Sequence, residues 1–114
     1  MAAHHATVHL DYEGPSGHSN QNEAVGFIYP SNDVQAGGDY VTAADFALGT
    51  LDELYLTVPG NKDGSALSAI HIAVVRTNLP QRSGQVLIQY FSAFGTEATG
   101  DLSALSVPFI ARGS

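Results

Sequence analysis

The chain has no cysteine among its 114 residues. That excludes a disulfide framework and a thiolate metal centre, the staples on which many small secreted domains depend. Charge is also scarce: 13% of residues are Asp, Glu, Lys or Arg, against about 25% in an ordinary soluble domain. Lysine occurs once, as Lys62, and the other cations are Arg76, Arg82 and Arg112, scattered along the chain. Nucleic-acid binding needs clustered cations that displace counterions from phosphates, so no nucleic-acid partner is expected. The net charge of -7 also opposes attachment to anionic lipid. No apolar run approaches the roughly 20 residues that span a bilayer. The segment from Met1 to Ala6 is short and carries the polar His4 and His5, which reads as no secretory leader. The expectation is a protein that is made in a cytoplasm and stays soluble, with no membrane partner.

Against these absences stands a hydrophobic content of 44%. It is high enough to exclude disorder and, at this length, sufficient for one core and one domain over 1–114. Lysine and glutamate are the usual solvated surface of a free monomer and are depleted at interfaces. A chain this poor in charge must expose Ala, Gly, Ser, Thr and apolar atoms instead, as a subunit packed into an assembly does.

The apolar periodicity is that of strands. Ala6, Val8, Leu10 and Tyr12 alternate with Thr7, His9 and Asp11, which predicts a half-buried strand over Ala6–Tyr12. Further strands are predicted at Ala24–Tyr29, Leu51–Val58, Leu67–Thr77, Gln85–Phe94 and Leu105–Ala111. In Leu67–Thr77 the pattern assigns Ile70, Ile72 and Val74 to the core and Ala69, His71, Ala73 and Val75 to the reverse face. Both faces are mostly apolar, so the strand is central or its second face meets a partner. Pro108 argues that the last strand lies at a sheet edge or a bulge. The one helical signal is Thr42–Gly49, about two turns long. Thr42 and Asp45 supply a capping box, Gly49 a left-handed terminator, and Phe46 a side chain to dock on a sheet. Six strands, turns rich in Gly and Pro, and one short helix predict an all-β fold, a β-sandwich or small barrel.

Candidate chemistry is thin. His4, His5, His9 and His18 crowd the first part of the chain, and residues two apart on a strand share a face. His5, His9 and Asp11 could therefore ligate a metal such as zinc. Positions two apart are some 6–7 Å from each other, long for two ligands of one ion, so a polar strand face is expected and no metal or cofactor. Asp52 and Glu53 are adjacent and point to opposite faces, which excludes an acid–base pair. Asp33, Asp39, Asp63 and Asp101 fall in loops, where aspartate closes turns. Asn61-Lys62-Asp63-Gly64 lacks the ligand series of a calcium loop. No nucleophile elbow and no phosphate-binding glycine loop is present. The expectation is a protein that is not an enzyme. Interface anchors are expected instead at Tyr55 and Tyr90, which combine large contact area with a polar tip, together with His71 and Val75 on the reverse face of their strand.

Two segments carry a resemblance. Tyr40-Val41-Thr42-Ala43-Ala44-Asp45-Phe46-Ala47-Leu48-Gly49-Thr50-Leu51-Asp52-Glu53-Leu54 is a capped short helix followed by a turn into a strand. Gly95-Thr96-Glu97-Ala98-Thr99-Gly100-Asp101-Leu102-Ser103 is a loop before the final strand. Together they cover about a fifth of the chain, and they resemble the small β-rich virion proteins of tailed bacteriophages. Ala47 stands where that group has glycine, and a threonine between Gly100 and Asp101 is missing. The resemblance brings no catalytic residues. It implies a head decoration (cement) protein on the capsid exterior, made in the host cytoplasm. Such a protein binds the major capsid protein lattice and stabilises the head, as a homotrimer by analogy with other decoration proteins. The other readings are a head–tail connector or tail component, a small metal-dependent β-barrel enzyme using His5, His9 and Asp11, and an adhesin or carbohydrate-binding module marked by aromatic side chains exposed on one face.

Overall fold

The computed structural model describes residues 3–15, 21–63, 71–80, 84–92 and 95–114. These form eight strands: β1 (Thr7–Pro15), β2 (Asn22–Tyr29), β3 (Asp39–Val41), β4 (Leu51–Leu56), β5 (Gly60–Asn61), β6 (His71–Val75), β7 (Val86–Ser92) and β8 (Leu105–Gly113). A single 3₁₀ turn, Ala43–Phe46, follows β3. The larger sheet runs β1-β2-β8-β4, with β5 also paired to β8, and the smaller runs β3-β7-β6. All the ladders between named strands are antiparallel. The fold is all-β, as the periodicity predicts. The short strands β3 and β5 carry too few residues to show a period.

Between the sheets lie Ala24 and Ile28 of β2, Leu51 and Leu54 of β4, Val86, Ile88 and Tyr90 of β7, and Val107, Phe109 and Ala111 of β8, all buried. The sheets are joined along one side. His4 and Ala6, just before β1, exchange backbone hydrogen bonds with Tyr40 of β3 at 2.9 Å, and the His5 and Tyr40 rings stack at 4.6 Å. On the other side β4 and β6 face each other without forming a ladder.

The helical signal gives a shorter element than predicted. The Asp45 carboxylate accepts the Thr42 N–H at 2.7 Å, and Phe46 is buried edge-on against Phe109 at 4.9 Å. The turn closes at Ala47, which takes the left-handed conformation at φ 59°, and not at Gly49. Gly49 is drawn away because its N–H bonds the Ser114 carbonyl at 2.7 Å.

Three further expectations are corrected. Pro108 lies in the central strand of the larger sheet and not at its edge. Its carbonyl accepts the Thr57 N–H at 3.1 Å, so its backbone faces the stretch where the partner of β8 changes from β4 to β5, and there the missing N–H breaks no regular ladder. The faces of β6 are inverted. Ala73 and Val75 pack on the core, while Ile72 is 48% exposed. The register decides this: Ala73 lies opposite Tyr90 and Val75 opposite Ile88, and the small Ala73 leaves room for the Tyr90 ring. Leu67–Ile70, predicted as part of this strand, lie outside the described residues. Finally, β1 is interrupted by a bulge. Leu10 pairs with Gly26 and Tyr12 with Val25, so Asp11 is the extra residue. The bulge turns Tyr12 away from the core face that Val8 and Leu10 share. Gly26 permits it, because a Cβ there would collide with the His9 carbonyl.

Candidate functional site

Alternation along the larger sheet sorts its side chains sharply. On β2, Ala24, Gly26 and Ile28 are buried, whereas Glu23, Val25, Phe27 and Tyr29 point outward; on β8, Val107, Phe109 and Ala111 are buried, whereas Pro108, Ile110 and Arg112 point outward. The ladder registers then align one residue from each of four strands in a row. Tyr12 lies opposite Val25, Val25 opposite Ile110, and Ile110 opposite Tyr55. At a strand spacing of about 4.8 Å the row spans some 14 Å. Tyr12, Ile110 and Tyr55 are 48%, 38% and 52% exposed.

The row is bounded on one side by an ion triad. Arg112 on β8 reaches Glu23 on β2 at 3.1 Å and Glu53 on β4 at 3.4 Å, and Glu23 chiefly holds the guanidinium pKa above its ordinary value. The Tyr55 hydroxyl donates to Glu53 at 3.1 Å, and that hydrogen bond raises the phenol pKa. On the other side Phe27 lies opposite Pro108, and beyond them the Lys62 ammonium sits 4.4 Å from the centre of the Tyr29 ring. The face is therefore an apolar band whose charged border is internally paired.

The expected interface residues part company here. Tyr55 lies on this face. Val75 is half-buried on β6 and lines a cleft of about 300 Å3 with Leu54, Tyr55, Leu56, Ala73 and Val74. Tyr90 is corrected: it is fully buried in the core, because β7 points it between the sheets, and it offers no surface to a partner. Its hydroxyl has no hydrogen-bond partner among the described residues. Burial pushes its pKa far up, and the charge of Asp39 adds to the effect. The His71 side chain lies outside what is described. Tyr12, Val25 and Ile110 were not singled out from sequence. Their alignment depends on a bulge and on two registers that no local pattern encodes.

The candidate ligands His5, His9 and Asp11 are not brought together on one ion site. His4 pairs with Asp33 at 3.2 Å, His5 with Asp45 at 2.7 Å and His9 with Asp11 at 3.1 Å, each in its own place, and His18 lies outside the described residues. Among the described residues no three His, Asp or Glu converge on a point that could hold a metal. The loop carboxylates are engaged structurally. Asp101 accepts both the hydroxyl and the N–H of Ser103, at 2.6 and 3.0 Å, which lowers its pKa. Asp39 belongs to β3 rather than to a loop. It is buried, and its two oxygens accept the N–H and the hydroxyl of Ser31, each at 2.8 Å. Glu97 accepts the Gly37 N–H at 2.8 Å and the Gln89 amide at 3.0 Å.

No helix among the described residues is long and apolar enough to cross a membrane. Comparison with family models, curated proteins and solved structures found no match to this chain.

Proposed function

We propose that this chain is a structural subunit that docks on a repeating protein surface through the outer face of its larger sheet. That surface is the major capsid protein lattice of a tailed-phage head, where the chain acts as a decoration (cement) protein. The observation that carries the reading is the apolar row of Tyr12, Val25, Ile110 and Tyr55, its Tyr12, Ile110 and Tyr55 exposed and Val25 half-buried, in a chain with few charges of its own. Large aromatic side chains left exposed side by side on one sheet face suit an interaction site, and tyrosines are common anchors. The two segments that resemble phage virion proteins point to the head as the assembly. One such face gives a modest contact, but a lattice repeats the site many times. Binding to the assembled shell alone stabilises that shell by mass action.

The test is co-sedimentation of the purified protein with heads that lack it. Binding is expected to change little between low and moderate salt, because the border charges are already paired with one another. Tyr12→Ala and Tyr55→Ala each weaken attachment by about 1–3 kcal/mol, and decorated heads withstand a higher temperature before rupture. Absence of binding, or binding indifferent to the double substitution, overturns the reading. A second reading rests on the same face: two exposed tyrosines beside a Glu–Arg–Glu row are also a surface on which a sugar chain could stack and hydrogen-bond. Saturable binding of a polysaccharide that quenches tyrosine fluorescence and is lost in Tyr12→Ala favours that reading over the shell.

A further inference from the structure

We propose that β4 is a self-pairing edge: two copies of this chain join antiparallel through β4, about a two-fold axis at Tyr55, and so extend the larger sheet across both. The argument starts from the backbone. In an antiparallel ladder successive residues turn their N–H and C=O groups to opposite sides. Thr57 donates to the Pro108 carbonyl, so Tyr55 and Glu53 also face β8, and Leu54 and Leu56 turn their backbone groups to the other edge, which pairs with no strand among the described residues. On β6, Arg76 donates to the Leu87 carbonyl at 2.8 Å, so Val74 faces β7, and Ala73 and Val75 face outward. Leu54, Leu56, Ala73 and Val75 all line the cleft. Its walls thus combine apolar side chains with backbone donors and acceptors that meet no strand among the described residues. Such an edge is completed by an extended chain.

Three features identify that chain as a second copy of β4. The first is charge. Asp52 and Glu53 lie at the start of the strand, and the neutral Thr57 and Val58 follow its end. Antiparallel pairing about Tyr55 sets Glu53 opposite Thr57 of the second copy, whereas parallel pairing would set Glu53 against Glu53, a like-charge contact. The second is register. Leu54 meets Leu56 of the second copy with their outward backbone groups in hydrogen-bonding position, and Tyr55 meets its own counterpart at the close-approach position. The row Tyr12–Val25–Ile110–Tyr55 then continues without a break across the joint, and Val58, 67% exposed, is covered by the neighbouring strand. The edge of β6 carries no such row, since its outward neighbours on β7 are Phe91 and Gln89. The third is the contrast with the opposite edge. There β1 is blunted by a bulge at Asp11 and by His9, Glu13 and Pro15, the devices that prevent strand pairing. The edge of β4 lacks them from Leu54 to Leu56.

The absence of cysteine makes the test clean. In Tyr55→Cys the two thiols face each other across the axis, with Cα atoms about 4.5 Å apart, within disulfide range. Mild oxidation is expected to convert most of this variant to a covalent pair. Tyr12→Cys, with a similarly exposed thiol at the far end of the row, stays largely uncrosslinked. Unmodified protein at about 100 µM sediments as a pair. Tyr55→Lys raises the dissociation constant at least about tenfold with an unchanged circular dichroism spectrum. Equal crosslinking of the two cysteine variants, a monomer at every concentration, or a trimer overturns the proposal. The pairing does not depend on docking to a shell: Tyr12→Ala lowers shell binding and leaves the pair intact, so either conclusion can fail alone.

Discussion

Replacing Tyr90 by phenylalanine should make this protein more stable. The Tyr90 side chain is fully buried and its hydroxyl has no hydrogen-bond partner among the described residues. The nearest charge that bears on it, the Asp39 carboxylate, is occupied by the backbone N–H and hydroxyl of Ser31. An unsatisfied buried hydroxyl costs about 1–3 kcal/mol. Removing the oxygen leaves the ring, its place opposite Ala73 of β6 and within the core, and only a very small void. Tyr90→Phe is therefore expected to gain about 1–2 kcal/mol, or roughly 4–10 °C in Tm for a domain of this size. Urea titration at neutral pH measures the gain as a higher midpoint at unchanged slope. Tyr90→Ala, by contrast, loses about 3–5 kcal/mol through its cavity.

The pH dependence supplies an independent check. Tyr90 titrates far above the ordinary tyrosine value of 10.0, through burial first and the charge of Asp39 second. Above that ordinary value the unfolded chain loses the proton while the folded chain keeps it. Stability therefore falls as pH rises beyond about 10, by up to about 1.4 kcal/mol per pH unit for this one group. Tyr90→Phe lacks the loss, so its advantage should widen in alkali. A variant at least 1 kcal/mol less stable than the parent at neutral pH would refute the reasoning, because it would mean that the hydroxyl is satisfied, for example by a buried water bridging to Asp39.

Other outcomes follow from single residues. Ala47 holds a left-handed φ of 59° at an exposed turn, where a Cβ costs about 1 kcal/mol; Ala47→Gly should raise stability by about 0.5–1 kcal/mol in thermal unfolding. Gly26→Ala drives a Cβ into the His9 carbonyl and should cost about 1–3 kcal/mol or more, read as a lower urea midpoint and faster amide exchange along β1. Ser103→Ala removes the hydroxyl that chiefly lowers the Asp101 pKa, and carboxyl-detected NMR titration should show it move back up. Because His4, His5 and His9 each pair with a separate aspartate, a chelator should leave the Tm unchanged and elemental analysis should find no stoichiometric zinc.

Composition and period determined much of this protein before any contact was known. The two-residue period marks the strands, and in β8 it also matches the buried face of Val107, Phe109 and Ala111, because a strand with one face in a core repeats its apolar residues at that interval. The short element at Thr42–Phe46 is legible for a similar reason, since the Thr42–Asp45 bond is local. What the tertiary structure alone decided is non-local. The strand partners of β6 chose its core face, because both of its faces are apolar and only the register against Tyr90 and Ile88 breaks the tie. The pairing of Leu10 with Gly26 placed the bulge at Asp11 and so sent Tyr12 outward to begin the exposed row. The same packing drew Tyr90 inward, although its sequence neighbourhood reads much like that of Tyr55. The exposed row, the edge position of β4 and the buried tyrosine all depend on which residue of one strand lies opposite which residue of another, and chain-local chemistry does not encode that.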